Sequence, residues 1–227
     1  MREVRNEDQQ RGRDLTDEQD RSRVIPEAVE ILGGAVDILV NNAAAAITRP
    51  ITTMSPRHQR IMYERNVIAP LDLAQSVIPS MRDAGEGWIV NLTSSGARLH
   101  DGRPFNLGPQ GSTMEVYGAT KAALNRITKG LAAELQGTGI RVNAVSPRVA
   151  VMSEGFAERL GDLLGPGSIG SREEIVEAVV TLCDCPADVT GLVAVSLDLI
   201  DDWGLTLRIQ RPGESVMPTR RNLRRRP

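Results

Sequence analysis

Tyr117 and Lys121 stand four residues apart in Tyr117-Gly118-Ala119-Thr120-Lys121, at the head of an apolar-striped segment. In a helix that spacing puts both side chains on one face, a turn apart. A phenol with a reference pKa of about 10 is a poor proton shuttle at neutral pH. A fixed ammonium beside it favours the phenolate and draws the tyrosine towards working acid–base range. The pentapeptide alone also fits an ordinary helix face, so its meaning depends on what the rest of the chain places near it.

Four short runs rich in Val, Ile and Leu, at 37–42, 88–92, 140–145 and 192–197, are too short for helices and read as strands. Helical segments are predicted over 57–83, 117–136 and 172–183, with an earlier helix over 17–32 stopped by Gly33-Gly34. Strands alternating with helices argue for an α/β chain whose parallel sheet is covered on both faces. In the helix that begins at Tyr117, Leu124, Ile127, Leu131 and Leu135 form an apolar stripe suited to core packing. Ala119, Ala122 and Ala123 keep its front end slim, and Gly137 and Gly139 close it.

Ligands of an open parallel sheet sit outside the carboxyl ends of the strands. Three runs finish there in small or polar residues: Asn41-Asn42-Ala43-Ala44, Thr93-Ser94-Ser95-Gly96 and Ser146-Pro147-Arg148. Together with Tyr117 and Lys121 they make a shared cleft with an acid–base pair. Asn41 and Asn42 could equally tie neighbouring strands together, which does not stop them lining a ligand. His58 and His100 belong to no motif and read as surface residues.

Composition removes several function classes. The 227 residues allow one domain or a large α/β unit with a sizeable core. A formal net charge of -2 and 3% aromatic residues give no footing for nucleic acid. Cys183 and Cys185, without a second pair, indicate neither a disulfide framework nor a zinc site, and a reduced cytoplasmic setting is expected. No run approaches the roughly 20 apolar residues of a membrane span. Residues 1–13 are too charged to bury a face and read as disordered, and the arginine-rich tail at 211–227 reads as a flexible, solvated end.

In combination, the segments DILVNNA, IVNLTSS, YGATKAAL and RVNAVSP resemble the short-chain dehydrogenase/reductase family, in that order and with suitable spacings over residues 14–202. The resemblance implies a Rossmann-like, doubly wound parallel sheet and hydride transfer between NAD or NADP and a small-molecule alcohol or ketone. It implies Tyr117 as the general acid/base and Lys121 as the residue that lowers its pKa and holds the nicotinamide ribose. Ser94, in preference to its neighbour Ser95, matches the serine that hydrogen-bonds the substrate oxygen. Asn66 matches the asparagine that anchors a relay water, although a helix-surface amide would carry the same sequence. Asn42, Ala43 and Ala44 match the backbone that lines the cofactor, and Asp14 and Leu15 match the pair beside the adenine. Pro147 and Ser153 complete the cofactor set; Ser153 stands where the family's threonine is expected, and no metal is implied.

The sequence also departs from that pattern. The family's glycine-rich T-G-x-x-x-G-x-G turn, which brings backbone N–H groups to the cofactor pyrophosphate, is absent before Asp14, and Glu7 to Arg13 are charged where a strand would be apolar. The domain at 14–210 therefore reads as N-terminally truncated, with its first three strands missing and the strand at 37–42 left as an apolar edge. Such an edge invites pairing with a second copy, so a homo-oligomer is expected. Arg148 replaces the glycine of the family's Pro-Gly, placing a charged side chain near the nicotinamide end. The loop between Ser94 and Tyr117, with Arg98, His100, Asp101 and Arg103, is long and reads as a substrate-side loop. The expected function is an alcohol/ketone oxidoreductase. The competing expectation is a catalytically silent remnant that binds cofactor poorly and acts at most as a binding partner.

Overall fold

The computed structural model describes residues 12–105, 107, 111–148, 150–151, 169–170 and 172–205. The expectations for 1–11, for Ser153 and for the tail at 211–227 lie outside the described residues. Arg13, the last residue of the expected disordered start, is engaged: its guanidinium pairs with Glu27 and Asp20.

α1 spans Glu18–Leu32, started by Asp17, whose carboxylate accepts from the N–H of Asp20, and stopped by Gly33 at φ 68°. β1 follows at Ile38–Asn41. α2, Pro56–Tyr63, is capped by Ser55 and opened by Pro56. It runs on through a wide π turn, Glu64–Ile68, into α3, Ala69–Ala84. Nothing in the residue pattern announces this turn inside the helix predicted over 57–83. Pro70 has no N–H to return to the carbonyl of Asn66, and the N–H of Ala69 reaches back five residues to the carbonyl of Glu64.

β2 is Gly87–Leu92, α4 is Glu115–Glu134 and β3 is Ile140–Ser146. Short pieces β4 (Ala150–Val151) and β5 (Ile169–Gly170) pair with each other. α5 spans Arg172–Leu182, β6 is Val193–Val195 and α6 is Ser196–Trp203. The strand predicted over 192–197 is thus half as long as expected. Its last residues belong to α6, where Leu199 and Ile200 are buried and Gly204 ends the helix at φ 58°.

The main sheet is all parallel, in the order β1-β2-β3-β6. Strand alternation sorts its side chains into two layers. On one face Ile89, Ile140 and Val142 pack with Ala74, Val77 and Met81 of α3 and Ala132 of α4, with Ile25 and Ala28 of α1 against them. On the other, Val90 and Val145 pack with Ala178 and Leu182 of α5 and Leu199 of α6. The expected α/β sheet covered on both faces is what the chain forms. Among the described residues β1 is the outer strand of this sheet, and its Ile38 and Val40 remain exposed.

Of the stripe predicted on α4, Leu124 and Leu135 are buried and Leu131 packs against the core. The helix also buries Gly118, Thr120, Lys121 and Thr128, a polar line that an apolar-stripe search passes over.

Candidate active site

α4 enters the carboxyl edge of the sheet so closely that a Cβ on Gly118 would meet the carbonyl oxygen of Gly96 at 2.3 Å. Only a residue without a side chain allows this contact. It holds the turn Ser95–Ala97, and Ser94 ahead of it, against the first turns of α4. Ser94 Oγ accepts from the N–H of Gly96 at 3.1 Å and sits close enough to the Tyr117 hydroxyl to act on its acidity. One turn along, Lys121 Nζ donates to the carbonyl of Leu92, the last residue of β2, at 2.8 Å and lies 5.8 Å from the centre of the Tyr117 ring. Thr93 ties the same corner together: its N–H donates to the Val145 carbonyl at 2.9 Å and its hydroxyl to the Lys121 carbonyl at 3.4 Å.

Asn66 sits on the π turn, fully buried. Its Oδ1 accepts from the N–H of Ala45 at 2.7 Å, while Nδ2 donates to the Ala45 carbonyl at 2.8 Å and to Thr120 Oγ1 at 2.9 Å. Thr120 in turn donates to the Tyr117 carbonyl at 2.7 Å. The side chain of Asn66 is therefore neither on a helix surface nor free to donate to a water: both amide hydrogens brace the loop after β1 against α4. Ser94, Tyr117, Lys121 and Asn66 form one connected group.

A second polar chain threads the sheet and was not anticipated as such. Asn41 Nδ2 donates to Asn91 Oδ1 at 2.8 Å, and Asn91 Nδ2 donates to Thr128 Oγ1 at 2.9 Å. All three residues are buried. Asn41 thus ties strands together, whereas Asn42, Ala43 and Ala44 are exposed at the carboxyl end of β1. The sequence cue was available in Asn91 and Thr128, polar residues inside otherwise apolar periods.

Burial sets the charges. It raises the Tyr117 phenol above its ordinary value, with the Ser94 hydroxyl pulling the other way. It lowers the Lys121 ammonium to about 8. The lowering of Tyr117 that the spacing predicts is thus outweighed by desolvation.

The remaining predicted residues are scattered. Asp14 lies ahead of α1, where its Oδ1 accepts from the Thr16 N–H (3.0 Å), the Thr16 hydroxyl (2.9 Å) and Arg65 Nη2 (3.2 Å). The Thr16 bonds, then Arg65, hold its carboxyl below the usual carboxylate range. The carbonyl of Leu15 accepts from the buried Arg21 at 2.9 Å. Neither joins the Tyr117 group. Pro147 follows β3 directly, and Arg148 beside it pairs with Asp198. His100 is exposed and its Nε2 lies 3.0 Å from Glu115 Oε1; His58 lies in the first turn of α2, its N–H bonded to Ser55 Oγ. Cys183 and Cys185 are free thiols, and no cluster among the described residues could hold a metal.

The nicotinamide half of a dinucleotide fits the donors at this edge. Small exposed residues leave the backbone of 42–44 open, and Lys121, a three-hydrogen donor, has given one hydrogen to Leu92 among the described residues.

The family model for short chain dehydrogenase matches residues 3–158. A 3alpha-hydroxysteroid dehydrogenase of Mediterraneibacter gnavus is 35% identical over 165 residues, covering 70% of this chain and 62% of its own length. A tropinone reductase homolog of Arabidopsis thaliana is 29% identical over 175 residues, covering 75% and 62%. Among solved structures, a gluconate 5-dehydrogenase from Burkholderia cenocepacia in complex with NADP and tartrate superposes with a TM-score of 0.62 at 27% identity, over 80% of this chain and 71% of that one. With the parallel sheet and the matched segment taken together, this chain belongs to the short chain dehydrogenase family. It spans less than two thirds of the length of either of those two relatives.

Proposed function

We propose that the chain is the catalytic body of an NAD(P)-linked oxidoreductase that interconverts a ketone and a secondary alcohol. The observation that carries this is the juxtaposition of Ser94, on the turn held against α4 at Gly118, with Tyr117 and the buried Lys121 a turn behind it at the carboxyl edge of the sheet. When bound, the nicotinamide supplies hydride to a carbonyl carbon, or accepts it in reverse. In this reading the backbone of Asn42, Ala43 and Ala44 lines it, Lys121 reaches its ribose, and Pro147 borders the carboxamide end. Asp14 and Leu15 lie towards the adenine.

The chain's own residues handle the oxygen. Ser94 donates a hydrogen bond to the ketone oxygen and Tyr117 gives that oxygen its proton, so the alcohol leaves neutral and the phenolate recovers a proton from solvent. A phenol held protonated by burial is the form that can give a proton to the ketone oxygen. The Lys121 ammonium would steady the phenolate formed in that step. Asn66 acts by holding the loop after β1 against α4, which keeps Tyr117 and the cofactor-lining backbone in register. Two free cysteines accord with a cytoplasmic protein, and the bare β1 edge with a homo-oligomer.

Tyr117→Phe removes one hydroxyl and should leave folding nearly unchanged. Turnover of a ketone with NADH or NADPH should fall by about two orders of magnitude or more. Equal rates for the two proteins would remove Tyr117 from the mechanism.

A second reading rests on β1 lying at the sheet edge with Ile38 and Val40 exposed. Here the chain holds only the nicotinamide end of the cofactor, and is silent or a binding partner. It predicts NADH dissociation constants no tighter than about millimolar, near -4 kcal/mol. Micromolar binding in a calorimetric titration excludes it.

A further inference from the structure

We propose that Arg148 is the residue that receives a carboxylate of the substrate, and that Asp198 holds its guanidinium until that carboxylate arrives. This deepens the oxidoreductase reading and rests on it. The placement follows from register. Leu92 pairs with Val145 and the N–H of Thr93 donates to the Val145 carbonyl, so Ser94 stands beside the end of β3, where Pro147 and Arg148 leave the sheet. On the other flank Ser146 pairs with Val195, and Asp198 follows in the first turn of α6. Arg148 therefore emerges between the Ser94–Tyr117 pair on one side and Asp198 on the other. Neighbouring strands lie about 4.8 Å apart, so a long side chain rooted there can serve either flank.

It serves Asp198, with Nη2 at 2.5 Å from Oδ1. Both side chains are 52% exposed. An ion pair this open is weak and readily exchanged. A carboxylate on the substrate offers the same two-oxygen partner with better geometry, since guanidinium pairs with carboxylate through two parallel hydrogen bonds. Once Arg148 turns back from Asp198, it would fix the far end of a substrate whose ketone oxygen lies at Ser94 and Tyr117. The substrate class is a keto acid or hydroxy acid with the carboxylate a few carbons from the reacting centre. A phosphate of the cofactor has related chemistry, and the test separates the two.

Levulinate and its methyl ester are titrated into the full chain by heteronuclear NMR, with inorganic phosphate and NADPH against NADH as further arms. The wild type should bind the acid about tenfold tighter than the ester, the scale of one charge-assisted contact. Arg148→Gln should abolish that ratio. Asp198→Asn, which frees the guanidinium, should tighten the acid severalfold and leave the ester unchanged. Tyr117→Phe should keep the acid-to-ester ratio, so failure of the catalytic assignment would not mimic failure of this one. An unchanged ratio in Arg148→Gln, no ratio in the wild type, or weaker acid binding by Asp198→Asn overturns the proposal. So does a variant that loses phosphate and NADPH binding while keeping the acid-to-ester ratio, which would give Arg148 to the cofactor instead.

Discussion

At Lys121 burial and charge oppose each other, and the sign of the outcome can be measured. The folded ammonium titrates near about 8, below its ordinary 10.5, because burial disfavours the charged form. Between those values the unfolded chain holds the proton more tightly than the folded one. The group's contribution to stability therefore rises with pH across that window, by about 3 kcal/mol in all, and its penalty is complete below it. The thiols of Cys183 and Cys185, pushed up to about 11 and about 12 by burial, act in the opposite sense above their ordinary 9. The comparison must therefore be wild type against Lys121→Met. Their difference in denaturant stability should grow in favour of the wild type from pH 8 to 10.5, and a constant difference would mean that Lys121 titrates normally. Turnover should fall on the alkaline side with a midpoint near about 8, as the ammonium that steadies the phenolate is lost.

At the element scale, α4 and the Ser95–Ala97 turn meet through a close backbone approach at Gly118. Gly118→Ala would drive a methyl group against the Gly96 carbonyl at 2.3 Å, and neither α4 nor the Ser95–Ala97 turn can yield by rotating a side chain. A loss of about 1–3 kcal/mol in stability is expected, the usual cost of overpacking, together with a fall in turnover as Ser94 parts from Tyr117. Gly130→Ala is the control on the same helix. Its added Cβ would meet nothing within 4 Å, and the gain in helix propensity should stabilise by up to about 1 kcal/mol. If both substitutions behave alike in thermal melts, the close approach at Gly118 is not what holds the site. The π turn works at the same scale: by widening the helix at Glu64–Ile68 it turns Asn66 inward to meet Ala45 and Thr120.

For the whole molecule the consequential feature is the outer strand. Ile38 and Val40 of β1, with Ile31 and Leu32 at the end of α1, leave apolar surface exposed at one end of the sheet. A strand edge of this kind pairs readily with another chain. Sedimentation velocity should show concentration-dependent association, and Val40→Lys should shift it towards monomer while leaving the far-UV spectrum intact. Unchanged association would move the interface away from β1.

Short-range rules account for the features legible in the chain before it folds. The apolar runs, the helix over 117–136, the stop at Gly33 and the i, i+4 placement of Tyr117 and Lys121 depend on neighbours a few residues away. The family pattern added Ser94 and Asn66 to that pair, and the fold joins all four. Tertiary structure decided what depends on distant partners. Leu197 entered a helix rather than a strand because Leu199 and Ile200 find a core there. Asn66 became a brace because the missing N–H of Pro70 lets its turn widen towards Ala45. The Tyr117 phenol moved up rather than down because desolvation, a property of the assembled interior, exceeds the effect of any neighbour in the sequence. Arg148 met Asp198 only because β3 and β6 lie side by side.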